Sequence, residues 1–191
     1  KGRTKMSYMK RYYEDLSVEM GFDGAIQMQT NLDFARELYE LGFSLLPVSS
    51  KSKRPCVKWK ALQTTRCTMA DVENWFGENT FRIGIITGKL SGIVVVDADN
   101  AEAERVVEEL CPATTMTRRT KRGKHYYFAH PEDVRIPNSV NLMGCKLDVR
   151  GDGGFVVAEN NLEGVTDWEK LPVYDPSWIG QIYKGFITSP L

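Results

Sequence analysis

The sequence predicts an α+β domain, a mixed α/β arrangement in which helices and strands alternate early and hairpins follow. Three observations predict it. Stretches with helix caps and helical apolar spacing, starting at Asn31, Thr68 and Asn100, alternate with apolar strand-like runs at 43–48, 82–87 and 93–97. Beyond residue 114 the apolar runs come in pairs around turn residues, with no helical pattern between them. The 191 residues, 42% hydrophobic and 26% charged, suit one folded domain with a small appendage and argue against wholesale disorder.

Residues 1–30 are polar and weakly periodic and read as an N-terminal helical appendage, leaving 31–191 as the main domain. Asn31 is a good N-cap for a helix over 32–41, with Phe34, Leu38 and Leu41 on one stripe and Gly42 as the stop. Phe43 to Val48 reads as a strand and Ser49 to Lys60 as a basic loop. Thr68 caps a second helix, with Asp71 at its third position and Val72, Trp75 and Phe76 apolar. Arg82 to Thr87 and Ile93 to Asp97 are strands joined through Gly88 to Gly92. Asn100 caps a helix that ends at Cys111-Pro112. Thr114 to Thr117 and His125 to Ala129 read as a hairpin, and Cys145 to Arg150 and Phe155 to Ala158 as another around Gly151-Asp152-Gly153-Gly154. The tail from 164 is aromatic and rich in loops.

The longest apolar run is far short of a membrane span, so no membrane partner is expected. The charged N-terminus has no apolar signal core, and a cytoplasmic rather than secreted protein is expected. Cys56, Cys67, Cys111 and Cys145 form no Cys-x-x-Cys pair, and no zinc is expected; the one set with zinc-binding chemistry would be Cys56, Cys67 and His130. The formal net charge is zero, yet basic residues cluster at 51–60 and 118–124 and acidic ones at 102–109 and 159–169. Local basic patches can bind nucleic acid on a neutral chain, because affinity follows the local count of phosphate contacts. Lys53, Lys58, Arg118, Arg119 and Arg122 are the candidates, although such runs are more often solvated loop faces.

Three polar stations lie in or beside apolar runs. They are Asp97-x-Asp99 after Gly92 to Val96, Gly123-x-His125 leading into Tyr126-Tyr127-Phe128, and Asp148-x-Arg150 before the glycine-rich turn. Strand side chains alternate with period two. Asp97 and Asp99 therefore share a face, as do Asp148 and Arg150, while Val94, Val96, Leu147 and Val149 point the other way into a core. Paired carboxylates repel unless a cation bridges them, and carboxylate, imidazole and guanidinium together suit a divalent metal and a triphosphate. Each station alone is a weak signal, and a strand histidine or a surface Asp-Arg pair is more often structural. Gly84 to Lys89 is not a phosphate-binding P-loop, having three residues between its glycines and Leu90 in place of Ser or Thr. Asp148 to Gly153 is not a calcium loop, since Arg150 holds a ligand position and no glutamate closes it.

Taken in order, these stations resemble the bifunctional primase-polymerase domains of the archaeo-eukaryotic primase superfamily, found in replication proteins of plasmids, viruses and phages. The resemblance runs over roughly residues 32–160, through Gly42-Phe43, Leu46-Pro47-Val48, Lys53-Arg54-Pro55, Trp59, Ile85-Ile86-Thr87-Gly88 and the three stations. It implies an RRM-like antiparallel catalytic sheet packed with an α/β unit. It implies that Asp97, Asp99 and Asp148 are catalytic acids holding two divalent ions, Mg²⁺ or Mn²⁺. It implies that His125 and Arg150 bind the nucleotide phosphates, joined by Lys124. The family often continues the third station with Ala-Pro-Pro-Ser, where this chain has Ala158-Glu159-Asn160-Asn161.

The activity so implied is template-dependent nucleotidyl transfer, making or extending primers on single-stranded DNA. NTP or dNTP, a template and a primer are the partners. A helicase in a longer replication protein is a further implied companion, and the location is wherever such a replicon is copied. Trp59 and Tyr126 are candidates for stacking on a base. The alternatives are a catalytically silent RRM-like nucleic-acid-binding module and a metal-dependent nuclease.

Overall fold

The helices begin where a side chain can close the first turn. In the computed structural model, which describes residues 30–78, 81–159 and 162–180, α1 spans Asn31–Glu40 and is capped by Thr30, not by Asn31. Thr30 Oγ1 accepts from the Asp33 amide at 3.1 Å, and Asp33 Oδ2 accepts from the Thr30 amide at 3.3 Å. A capping box needs an acceptor three residues into the helix. Asp33 provides one for Thr30, whereas Asn31 would have Phe34 there. Asn31 donates instead to the Phe81 carbonyl at 2.7 Å. Helix α2 (Met69–Phe76) carries the expected Thr68–Asp71 box, and α3 (Ala101–Leu110) the expected Asn100 cap, whose Oδ1 accepts from Ala103 N at 2.7 Å. The appendage expected over 1–30 falls almost wholly outside the described residues. Among the described residues no helix is long and apolar enough to cross a membrane.

The strands in chain order are β1 (Leu45–Val48), β2 (Arg82–Ile86), β3 (Ile93–Ala98), β4 (Thr117–Arg119), β5 (Lys124–Ala129), β6 (Ser139–Leu142), β7 (Leu147–Arg150), β8 (Phe155–Ala158) and β9 (Leu162–Glu163). They form a three-stranded sheet, β1-β2-β8, and a six-stranded sheet, β6-β7-β3-β5-β4-β9, with every named pair antiparallel. The fold is thus mixed α/β with antiparallel sheets. β4 starts later than expected, because Arg118 and Arg119 take up the pairing with His125 and Lys124.

The hairpin expected from Cys145 to Ala158 does not form. β7 pairs with β3 and β6, β8 pairs with β2, and the Gly151–Gly154 turn carries the chain from one sheet to the other. Distant partners hold that turn open. Asp152 Oδ1 accepts from Lys89 N at 2.9 Å, and its Oδ2 accepts from Ile136 N at 2.7 Å and lies 3.1 Å from His130 Nε2. Thr87 Oγ1 donates to the Gly151 carbonyl at 2.7 Å.

β3 is buried on both faces. Ile93 and Val95 pack with Phe34, Leu38, Phe43, Leu45 and Ile85, the core shared by α1, α2 and the smaller sheet. Val94, Val96 and Ala98 pack with Ala103 and Val107 of α3 and with Tyr126, Phe128, Leu147 and Val149. The aromatic tail closes this second core, with Phe128 centred 6.0 Å from Tyr174 and 5.6 Å from Trp178. Both layers grip the strand that carries Asp97, and each fully buried aliphatic side chain contributes on the order of 1.5–3 kcal/mol.

Candidate active site

Register brings the stations into a line. Asp97 on β3 lies opposite His125 on β5 and Asp148 on β7, and His125 lies opposite Arg118 on β4. Directly opposed residues project from the same face. Arg118, His125, Asp97 and Asp148 therefore form one transverse row over four strands, about 14 Å long at ordinary strand spacing. The face is that of Val95 and Tyr127, so the row sits at the rim of the first core.

At the centre of the row His125 Nε2 approaches Asp97 Oδ1 to 3.3 Å, with side chains 9% and 16% exposed. Oδ1 is buried and makes no hydrogen bond, and neither do the buried His125 Nδ1 and Tyr127 hydroxyl. Burial pushes the Asp97 carboxyl up, but His125, Arg150 and Lys53 outweigh it and hold the group below the usual carboxylate range. Asp97 is thus held as a carboxylate that faces His125, with a buried Oδ1 that makes no hydrogen bond.

The flanking acids are engaged by cations. Asp99, one residue past β3, pairs with Arg122 at 3.2 Å. Asp148 Oδ2 accepts from Arg150 at 2.7 Å and Oδ1 from Asn141 N at 2.9 Å. Among the described residues no three His, Cys, Asp or Glu side chains gather closely enough to hold a metal ion. The row opens on a cleft of about 510 Å³. Asp97, Asp99, His125 and Arg150 line it, and so do Lys53, Arg118 and Arg122. Trp59 lines it as well, packed edge-on against Phe155 with ring centres 5.3 Å apart.

Gly123 is fixed by contact. A Cβ there would stand 1.9 Å from the Ala98 carbonyl oxygen, so only glycine lets β5 run this close beside the end of β3. The Gly-x-His spacing follows, since His125 is the residue that then faces Asp97.

A family model for the N-terminal domain of bifunctional DNA primase/polymerases matches residues 35–172. This chain belongs to that family. The matched span includes all four strands of the row and continues through β9. No curated protein matches the chain.

Not every candidate of the primase/polymerase domain reaches the cleft. Lys124 adjoins His125 and so takes the opposite face, its Nζ 4.8 Å from the centre of the Tyr126 ring. The Tyr126 hydroxyl donates to Glu108 on α3 at 2.9 Å, which turns that ring away from the cleft too. Arg119 faces α3 and binds both oxygens of Glu104 at 2.8 and 2.7 Å. Lys58 is exposed and outside the lining, and Asp148 stands in the row, bound to Arg150, but does not line the cleft. Cys56, Cys67 and His130 do not assemble. Cys67 Sγ accepts from Leu45 N at 3.3 Å inside the core, and burial raises its pKa, while His130 is bound to Asp152.

Lys121 and Asn138 line the cleft too, and sequence reasoning missed Asn138. Lys121 belongs to the basic run already noted. Asn138 carried no signal, because its role is to pin the turn, accepting from Gly151 N at 3.1 Å and donating to the Asp152 carbonyl at 3.0 Å.

Proposed function

We propose that this domain is a template-directed nucleotidyltransferase that makes or extends primers on single-stranded DNA. The observation that carries the reading is the row of Arg118, His125, Asp97 and Asp148 beside a cleft rimmed by Lys53, Lys121, Arg122 and Arg150. Along the row itself, Asp97 and Asp148 at one end and His125 and Arg118 at the other match a reacting phosphorus with a polyphosphate tail, while Arg122 and Arg150 stand among the acids.

The carboxylate chemistry suits Mg²⁺ or Mn²⁺, and the acids would have to draw together to bind one, since no three of them gather as they stand. Asp97 Oδ1 is buried, makes no hydrogen bond and faces His125 Nε2 at 3.3 Å, and hard cations prefer carboxylate oxygens. Asp97, Asp99 and Asp148 would hold the ions, Asp99 and Asp148 exchanging their arginine partners to do so. Bound divalent ions lower the pKa of an attacking hydroxyl and neutralise charge on departing pyrophosphate. The protein's own groups do the rest. Arg122 and Arg150, once released from carboxylates, fork onto phosphate oxygens. His125, only 7% exposed yet lining the cleft, donates to phosphate from a restricted position. Lys53 and Lys121 follow a nucleic-acid backbone, and Trp59 offers a face for a base. The larger sheet serves as the RRM-like catalytic sheet of the family.

The test is nucleotide incorporation on single-stranded DNA, with and without primer, in Mg²⁺ and in Mn²⁺, by wild type and by Asp97→Ala/Asp99→Ala. Synthesis by wild type and its loss of 10³-fold or more in the variant, on the order expected for removed metal-assisted catalysis, supports the proposal. Incorporation that survives the double substitution refutes the role of the acids. DNA binding without incorporation points to a binding module, and degradation of the DNA to a nuclease.

A further inference from the structure

We infer that Arg118 receives the terminal phosphate of the incoming nucleotide, and that Glu159 is its counter-ion when no nucleotide is bound. The inference rests on the nucleotidyltransferase reading above. Arg118 stands in register with His125, two strands and about 10 Å from Asp97 at ordinary strand spacing. A nucleotide whose reacting phosphorus lies by Asp97 and whose middle phosphate meets His125 points its tail at β4. Of the paired β4 arginines, Arg118 lines the cleft while Arg119 is turned to Glu104 on α3.

The pairing of Arg118 suits exchange. Its side chain is only 7% exposed, so the guanidinium is held in the cleft wall. Glu159 is 43% exposed and divides its carboxylate, Oε1 to Arg82 and Oε2 to Arg118. The fixed partner is therefore the cation, and the partner near solvent is the anion. Glu159 can stay with Arg82 when a terminal phosphate, with more charge and a better match to the guanidinium fork, takes Arg118. The consequence is a preference for triphosphates over diphosphates.

The experiment titrates wild type, Arg118→Gln, Arg118→Lys and Glu159→Gln with a non-hydrolysable dNTP analogue and with the dNDP, by calorimetry in Mn²⁺ without DNA. Single-stranded DNA is titrated in parallel by fluorescence anisotropy, and thermal melts check folding. Wild type is expected to favour the triphosphate by about 10- to 100-fold, as for a charge-assisted hydrogen bond. Arg118→Gln should lose most of that ratio with DNA affinity unchanged, Arg118→Lys should lose part of it, and Glu159→Gln should keep or increase it. Should Arg118→Gln fail to fold, Arg118→Lys and Glu159→Gln still carry opposite expected directions. A ratio unchanged in the folded arginine variants, or a loss confined to DNA binding, overturns the inference and leaves the proposed function standing. Wild type that binds neither nucleotide overturns both.

Discussion

Adding one methyl group at Gly123 tests whether the row of Arg118, His125, Asp97 and Asp148 depends on how closely β5 runs beside β3. In Gly123→Ala the new Cβ meets the Ala98 carbonyl oxygen at 1.9 Å, the Ala98 carbonyl carbon at 2.9 Å and Asn100 N at 3.2 Å. The closest ordinary carbon–oxygen contact is about 3.3 Å, so the strands must separate by about 1.4 Å at that point. The obstacle is backbone, which cannot rotate aside. The displacement falls between Asp97 and His125, since Ala98 pairs with Lys124 and Asp97 with His125. Overpacking of this kind costs about 1–3 kcal/mol, or about 2–12 °C in melting temperature for a chain of this size. A misplacement of about 1 Å costs on the order of 10²-fold in rate. The assay is single-nucleotide primer extension per folded molecule, with a thermal melt on the same sample. Gly144→Ala is the control, because its Cβ meets nothing within 4 Å and its φ of +71° makes the left-handed backbone its main cost, about 1–2 kcal/mol. It should lose stability and keep activity. Gly123→Ala that extends primers at the wild-type rate would refute the argument that this contact sets the geometry of the row.

Two further outcomes concern the scaffold. Asp152→Asn should lose about 2–4 kcal/mol at pH 7, because it removes the charge that accepts from Lys89 N, Ile136 N and His130. Burial raises the Asp152 pKa, but those donors prevail and lower it overall, so its stabilisation is present above the unfolded carboxylate pKa and lost as pH falls through the folded one; the gap in urea midpoint between wild type and variant should therefore close below about pH 4. Thr68→Ala opens the capping box of α2, whose Thr68 Oγ1 accepts from Asp71 N at 3.1 Å, and should cost about 1 kcal/mol, seen as a lower urea midpoint with primer extension per folded molecule unchanged.

What could be read from the chain divides by the distance over which the deciding contact acts. The Thr68 and Asn100 caps were legible because acceptor and donor lie three residues apart. Thr30 was passed over for Asn31, although the same rule applied to Asp33 selects it. The core face of β3 followed from alternation, and Val94 and Val96 lie where that pattern puts them. Lys124 shows the same rule set aside. Next to His125, it had to take the other face, and its charge and place in the motif were no guide to its direction. The turn after β7 was illegible for another reason. Gly151-Asp152-Gly153-Gly154 has the composition of a hairpin turn, but the groups that decide its course, Thr87, Lys89 and Ile136, lie 16 to 64 residues away.

The row itself joins these two cases. Each member is visible as a residue in a strand, yet the line exists only through three pairings, β4 with β5, β5 with β3, and β3 with β7. A shift of one residue in any of them would turn a member to the opposite face. The register is held by features that take no part in the chemistry. Gly123 permits the approach of β5, and the Asp99 amide donates to the Lys146 carbonyl at 3.1 Å, fixing the end of β7 against β3. The glycine and the backbone bond thus stand to the acids as the hinge of a clamp stands to its jaws. A change at Gly123 should therefore reach the reaction through the placement of His125 against Asp97, with every charged side chain still present.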